Sequence, residues 1–358
     1  MSGASRTLGE KEFIAKPGET VLVTGAGGFI GRRVVESLLR EGCTHIRCLV
    51  RSETGRNALN HLVDQYPHAQ IEIVSGNLLS RRDCFQASRD VAVVYHLAAG
   101  NEKSFAGCFM NSVVTTRNLL EAAVASRSLK RFVHVSSFAV YSNAALKRNA
   151  LLDESCALET DHVRRNEPYA YAKLKQEEIV REYAATSALP YVILRPGAVY
   201  GPGLSQLTGR IGLGTFGIFL HLGGANQVPF TYVENCADAI ARAGLMAGID
   251  GEVFNVVDDD MPTSRQFFRH YRKSVAAIRY IPVPYRLFYA FCWLWELHCR
   301  WSHEQLPPAF NPRKCETYWK GNRYSNRRLK ERVGWQPRVS FEEGSGAYFE
   351  FLRKQRAC

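Results

Sequence analysis

From Thr20 to Leu194, short β-rich apolar runs alternate with longer stretches whose apolar residues recur at helical spacing. Val21-Leu22-Val23, Ile46 to Val50, Ile71 to Val74, Val91 to Tyr95, Phe132 to Val135 and Tyr191 to Leu194 read as buried parallel strands. Segments such as Phe29 to Leu39 and Val113 to Val124 supply helices between them. Strand–helix alternation of this kind predicts an α/β fold, a doubly wound parallel sheet covered on both faces. After Pro196 the rhythm breaks into Gly- and Pro-rich stretches, with one strand-like return at Glu252 to Val257.

The first strand runs straight into Gly25-Ala26-Gly27-Gly28-Phe29-Ile30-Gly31. Gly25 permits a tight turn, Gly28 lets the backbone approach a pyrophosphate, and Gly31 lets the helix pack on the strand. The helix N-terminus then offers free N–H groups and a positive dipole end to phosphates. A merely flexible turn would not need all three glycines. This is a Rossmann dinucleotide loop, so residues 18–196 are expected to form an NAD(P)-binding domain. Residues 197–358 are expected to be mainly a smaller substrate lobe, with segments at about 231–257 returning to the first domain, and residues 1–17 to be a flexible tail. At the end of the second strand stands Arg51, where an acidic side chain would bind the ribose of NAD. Arg51 offers a forked, charge-assisted pair to a 2′-phosphate, which favours NADP(H), with NAD(H) the alternative.

The formal net charge of +12 suits anionic ligands, although a solvated surface accounts for most such charge. The densest basic run, Arg323 to Arg338, ends in a turn-like Gly334-Trp335-Gln336-Pro337 and has no interleaved aromatic stripe, which argues against nucleic acid. The ten cysteines form no Cys-x-x-Cys and no Cys/His pairing. Neither a disulfide framework nor a metal site is expected, and the thiols suit a reducing, cytoplasmic compartment. No stretch approaches the roughly 20 apolar residues of a membrane span, and the first residues lack the apolar run of a signal peptide.

Five motifs in order carry a family resemblance: Thr24 to Gly31, His96-Leu97-Ala98-Ala99, Val135-Ser136-Ser137-Phe138-Ala139-Val140-Tyr141, Tyr169-Ala-Tyr-Ala-Lys173, and Leu194-Arg195-Pro196-Gly197-Ala198-Val199-Tyr200-Gly201-Pro202-Gly203. Over roughly residues 20 to 350 the chain resembles extended short-chain dehydrogenases/reductases of the NAD-dependent epimerase/dehydratase and 3β-hydroxysteroid dehydrogenase-like group. The resemblance implies an NAD(P)-dependent oxidoreductase or epimerase with a Ser-Tyr-Lys proton relay. Tyr169 and Lys173, four apart on a helix, share one face. A Lys ammonium and a positive nicotinamide would lower the phenol pKa from about 10 and let Tyr169 move a substrate proton. Tyr171 competes, but only Tyr169 has a Lys four residues on. The family's use of the second Ser selects Ser137 over Ser136.

The same resemblance extends the cofactor set to Phe29, Ile30, Leu78, Ala98 and Ala99, and to Pro196 beside the nicotinamide. Asn111 matches an Asn that braces the active site, although a buried polar helix residue reads the same way. Asn77 stands where many relatives carry an Asp that contacts adenine. Relatives that dehydrate or decarboxylate sugar nucleotides place acids after the Ser, where this chain has Phe138 and Ala139. Alcohol–ketone redox is therefore the expected reaction, on a sugar nucleotide or an apolar, steroid-like substrate. The alternatives are a sugar-nucleotide 4-epimerase using tightly bound NAD and a catalytically silent dinucleotide-sensing regulator. A regulator would not need Ser137, Tyr169 and Lys173 together.

Pro229 to Asn235 looks like the hydroxysteroid-type branch, whereas Tyr324 to Lys330 suits both branches and could offer basic residues to a diphosphate. A homodimer is the expected assembly. Tyr285 to Trp301 is helical in pattern, strongly aromatic and flanked by Arg279, Arg286 and Arg300. It can pack on the main domain or a partner, roof an apolar pocket, or make peripheral membrane contact through a stripe containing Phe288, Phe291 and Trp295.

Overall fold

The computed structural model describes residues 13–205, 207–302, 305 and 309–357. Seven parallel strands form the central sheet: β1 (Thr20–Thr24), β2 (His45–Val50), β3 (Gln70–Ser75), β4 (Val91–His96), β5 (Arg131–Val135), β6 (Tyr191–Pro196) and β7 (Val253–Val256). Their order is β7-β6-β5-β4-β1-β2-β3. The winding direction reverses between β1 and β4, which opens a crevice at the carboxyl ends of those strands.

Alternation along β1 shows why both faces are covered. Val21 and Val23 join one buried layer with Val34, Val35 and Leu38 of the Gly31–Arg40 helix and Ile240 of the Val233–Leu245 helix. Leu22 joins the opposite layer with Leu119 and Leu120 of the Thr115–Ala125 helix and Val180 of the Pro168–Ser187 helix. A π-helical turn, Phe109–Val114, precedes Thr115 where the sequence pattern suggested uninterrupted helix from Val113.

Beyond β6 a smaller aromatic layer gathers Tyr200, Phe230, Tyr232, Phe267, Tyr348 and Phe349. A hairpin of Gly212–Thr215 and Ile218–His221 takes Tyr280–Pro282 as a parallel third strand. Of the expected tail, residues 1–12 lie outside the described residues. From Phe13 onward the chain is tied down: Phe13 bridges Met246, the Ile14 amide donates to the Leu245 carbonyl at 2.8 Å, and Ala15 is buried.

The basic run 323–338 is largely spent on ion pairs. Arg328 and Arg332 meet Glu252, Lys330 meets Asp259, Arg327 meets Glu331, and Arg338 meets Asp238 and Glu41. The aromatic segment forms a helix, Tyr285–Trp301. Phe288, Cys292 and Cys299 face inward, with Leu222, Cys315 and Trp319 packed against Phe288 and Cys292. The stripe proposed from sequence is divided: Phe288 is buried, Trp295 is half-buried against Phe310, and only Phe291 stands exposed. The outward face is made instead by Leu287, Trp293, Leu294, Leu297 and Trp301, because the helix turns its smaller thiols inward. Among the described residues no helix is long and apolar enough to cross a membrane.

Two buried histidines lie in the central sheet. His96 is held on both sides, with Nδ1 2.8 Å from Thr24 Oγ1 and Nε2 2.8 Å from Thr116 Oγ1. His134 is fully buried, and neither ring nitrogen has a hydrogen-bond partner. Burial, then the Lys173 charge, pushes the His96 imidazole down to about 3 and the His134 imidazole well below its ordinary range. Their neutral forms therefore stabilise the fold fully above the unfolded value near 6.5, and that contribution is lost as pH falls below it. His134→Leu removes one such group, so its stability relative to the unmodified chain should improve by about 2 kcal/mol between pH 7.5 and pH 5. Urea midpoints at both pH values check this, and an equal difference at each would show that His134 does not titrate on unfolding.

Candidate active site

At the carboxyl end of β1 the backbone turns through Gly25, with φ +68°, and the Gly28 amide donates to the Gly25 carbonyl at 3.0 Å. A Cβ on Gly31 would stand 2.1 Å from the Gly25 carbonyl oxygen, so the helix can begin this close to the strand only at glycine. Ile30 caps that helix and packs against the core. Phe29 lies under the Arg33 guanidinium, and Arg33 also donates to the Pro202 carbonyl at 2.6 Å. The glycine loop is thereby locked to the chain that follows β6.

A cleft of about 430 Å³ opens over this loop at the switch point of the sheet. It brings together Gly25, Gly28, Arg51, Asn77, Leu78, Ala98, Ala99 and Asn111 from separate elements. Asn77 uses its side-chain oxygen to accept from the Leu79 amide at 3.0 Å. Asn111, in the π-helical turn, donates to Glu102 at 2.7 Å. Phe29, Ile30, Gly31, Tyr169, Lys173 and Pro196 do not line this cleft.

The cleft also contains residues that carried no clear sequence signal. A Cβ on Gly27 would fall 2.4 Å from Gly55, so the Glu53–Gln65 helix rests directly on the glycine loop. Among the described residues Glu102 is the one carboxylate lining the cleft, and its Oε2 is buried with no hydrogen-bond partner there. These features fit a dinucleotide: close-approach glycines and a helix N-terminus for the pyrophosphate, and an unfilled acceptor for a ribose hydroxyl.

A second, smaller cavity of about 140 Å³ lies past the end of β5. Ser137 and Tyr169 line it with Phe138, Ala139, Arg210 and Tyr318. Ser136 points the other way and donates to buried Glu177 at 2.6 Å, which leaves Ser137 as the serine facing Tyr169. Pro196 ends β6, and Gly197 beyond it reaches the cavity wall. Arg165 stiffens the loop after Ser137 by donating to the Ala139 carbonyl at 2.7 Å and pairing with Glu167.

Lys173 is buried, and its ammonium donates to the Val135 carbonyl at 2.7 Å. Burial lowers its pKa to about 7, with Glu177 opposing. Burial likewise pushes the Tyr169 phenol up, and the Ser137 hydroxyl offsets part of that. The expected lowering involves a bound nicotinamide as well as Lys173, and in the chain alone Lys173 contributes none of it. Its charge is directed at a backbone carbonyl, and desolvation of the ring dominates.

A family model described as NAD dependent epimerase/dehydratase family matches residues 21–256. The 3beta-hydroxysteroid-dehydrogenase/decarboxylase isoform 1 of Arabidopsis thaliana is 24% identical over 352 residues, covering 90% of this chain and 77% of the relative. The 2-alkyl-3-oxoalkanoate reductase of Stenotrophomonas maltophilia is 27% identical over 341 residues, covering 90% of this chain and 96% of the relative. Among solved structures, UDP-glucuronic acid 4-epimerase from Bacillus cereus in complex with UDP-glucuronic acid and NAD aligns with a TM-score of 0.68 at 20% identity. That alignment covers 94% of this chain and 99% of the other and speaks for the fold.

The contact between Gly27 and Gly55 gives a test of the cleft. Gly27→Ala should lower stability by about 1–3 kcal/mol and weaken dinucleotide binding, because a backbone must move. Gly18→Ala, which meets open space, should change neither. Melting curves and calorimetric titration of both variants read the difference.

Proposed function

The chain belongs to the NAD dependent epimerase/dehydratase family, and we propose that it interconverts an alcohol and a ketone with Tyr169 as proton carrier. The observation that carries this reading is the small cavity shared by Ser137 and Tyr169 at the end of β5. A nicotinamide dinucleotide bound over the glycine loop supplies or accepts the hydride. Tyr169 gives or takes the hydroxyl proton, and Ser137 holds the same substrate oxygen in line. Lys173 grips the Val135 carbonyl two residues before Ser137, so it positions the serine as well as placing a charge one helical turn from Tyr169.

Net redox is favoured over dehydration because Phe138 and Ala139, which line the cavity, have no titratable group. Relatives that align with 90% of this chain carry dehydrogenase/decarboxylase and reductase names, and the redox part of those names supports the same choice. NADP(H) is the preferred cofactor in this reading. Arg51, Ser52 and Thr54 line the cleft just past the end of β2, whereas Glu53 between them is turned out of it toward Arg56.

Tyr169→Phe should reduce turnover by about 100- to 10,000-fold with little change in dinucleotide affinity. Near-full activity in that variant would remove Tyr169 from the mechanism. For the cofactor, NADP+ should bind more tightly than NAD+, and Arg51→Asp should narrow or reverse the difference. Equal affinities in the unmutated chain, measured by calorimetry, would mean that Arg51 does not meet the ribose.

A further inference from the structure

Two features of the substrate-side lobe take no part in the chemistry above. One is a cleft of about 740 Å³ where the Ser264–Ser274 helix, the loop after His221 and the start of the Tyr285–Trp301 helix meet. Arg148, Arg265, Arg269, Arg272 and Arg286 line it, and no carboxylate does. Among the described residues, none of these five arginines makes an ion pair, and no acid shares the cleft with them. Arg148 reaches only Asn226, at 3.3 Å, and Arg272 lies over Tyr280 at 4.5 Å with its buried Nε unpartnered. The contrast with the run 323–338 matters. There most basic side chains have found an acid, so five guanidinium groups without one in a single cleft are not simply the consequence of a basic chain.

The other feature is the outward face of the Tyr285–Trp301 helix. Leu287, Leu294 and Trp301 are 64%, 57% and 78% exposed and recur at helical spacing, with Phe291, Trp293 and Leu297 beside them. Arg286 belongs to both features. It lines the cleft, and it stands on the outward arc at positions i relative to Trp293 at i+7 and Leu297 at i+11.

We propose that this lobe docks on an anionic lipid bilayer, with phosphate headgroups in the arginine cleft and the Tyr285–Trp301 helix lying in the interface. A helix of this length spans about 25 Å and cannot cross, but one apolar face with flanking arginines suits in-plane insertion. Charge decides between a bilayer and a second copy of the chain. A two-fold interface across this face would bury two arginine clusters together with no acid lining either cleft, whereas anionic headgroups complement them. This docking does not depend on the assignment of Tyr169.

Co-sedimentation with phosphatidylcholine vesicles, with and without phosphatidylglycerol, tests it. The unmutated chain should be retained only by vesicles containing phosphatidylglycerol and released by high salt. Arg265→Gln with Arg269→Gln should weaken partitioning on the order of 30-fold. Leu294→Glu with Leu297→Glu should abolish retention at an unchanged melting temperature, since both side chains are exposed. A blue shift of tryptophan emission on adding the anionic vesicles to the unmutated chain supports the proposal without any variant, through Trp293 and Trp301. No retention at low salt would overturn it, as would retention indifferent to these substitutions. So would binding of inorganic phosphate without vesicle binding, or a dimer in sedimentation equilibrium that Leu294→Glu dissociates while vesicles are ignored.

Discussion

The side chains of the small cavity depend on one buried ion pair. Glu177 sits two turns beyond Tyr169 on the Pro168–Ser187 helix, and Arg195 of β6 meets it through both ends of its guanidinium, at 2.9 and 2.7 Å. Ser136 adds a third bond to the same carboxylate, and Arg195 passes the contact on to the Tyr141 hydroxyl at 2.9 Å. Burial alone would raise the Glu177 pKa, yet Arg195 and Ser136 hold it below the ordinary carboxylate range. Such a pair adds little net stability over a well-packed apolar substitute, but removing one partner costs about 3–5 kcal/mol. What it fixes is position. Helix, β6 and the loop that begins at Ser136 are held in one register, so Ser137 and Tyr169 meet across the same small space.

The dinucleotide side is organised by close approach rather than by charge. Gly31 meets the Gly25 carbonyl, Gly27 meets Gly55, and Gly25 lies against the backbone of Ala98. A single methyl group would block the first two contacts and crowd the third, where Gly25 also holds a positive φ. Together they bring β1, β2, β4 and two helix N-termini within reach of one extended ligand. The Arg33 bond to Pro202 then joins this assembly to the chain that follows β6.

The strand pattern and the glycine spacing made the sheet and the loop legible because both follow from backbone periodicity and steric room. Ser137 beside Tyr169 was legible through the motif, and the burial of Ser136 against Glu177 supplies the physical reason for choosing between adjacent serines. Glu102, Arg165 and Arg210 gave no such signal. The two arginines act across long sequence separations, as when Arg165 holds the Ala139 carbonyl, and Glu102 enters the cleft through a local bond from Asn111. The Lys173 geometry was also hidden. Four-residue spacing puts Lys173 on the face of Tyr169, but it does not reveal the Val135 carbonyl that takes up the ammonium.

Charge and amphipathicity were the least legible, for a related reason. The sequence reports how many arginines there are, and only the fold reports which of them find acids. Arg328 and Arg332 look as available as Arg265 and Arg269 until Glu252 is seen to meet the first two. The Tyr285–Trp301 helix raises the same difficulty in apolar form. Its aromatic and aliphatic residues surround most of the cylinder, so periodicity alone cannot choose the buried side. The choice is made by shape. Cys292 and Cys299 are small enough to let the helix approach its neighbours, and they sit in the inward arc with Phe288 and Glu296. Glu296 is satisfied there by Arg164 and Arg300, both at 2.9 Å. Once that arc is fixed, the larger side chains at Leu287, Leu294 and Trp301 have nowhere to go but outward.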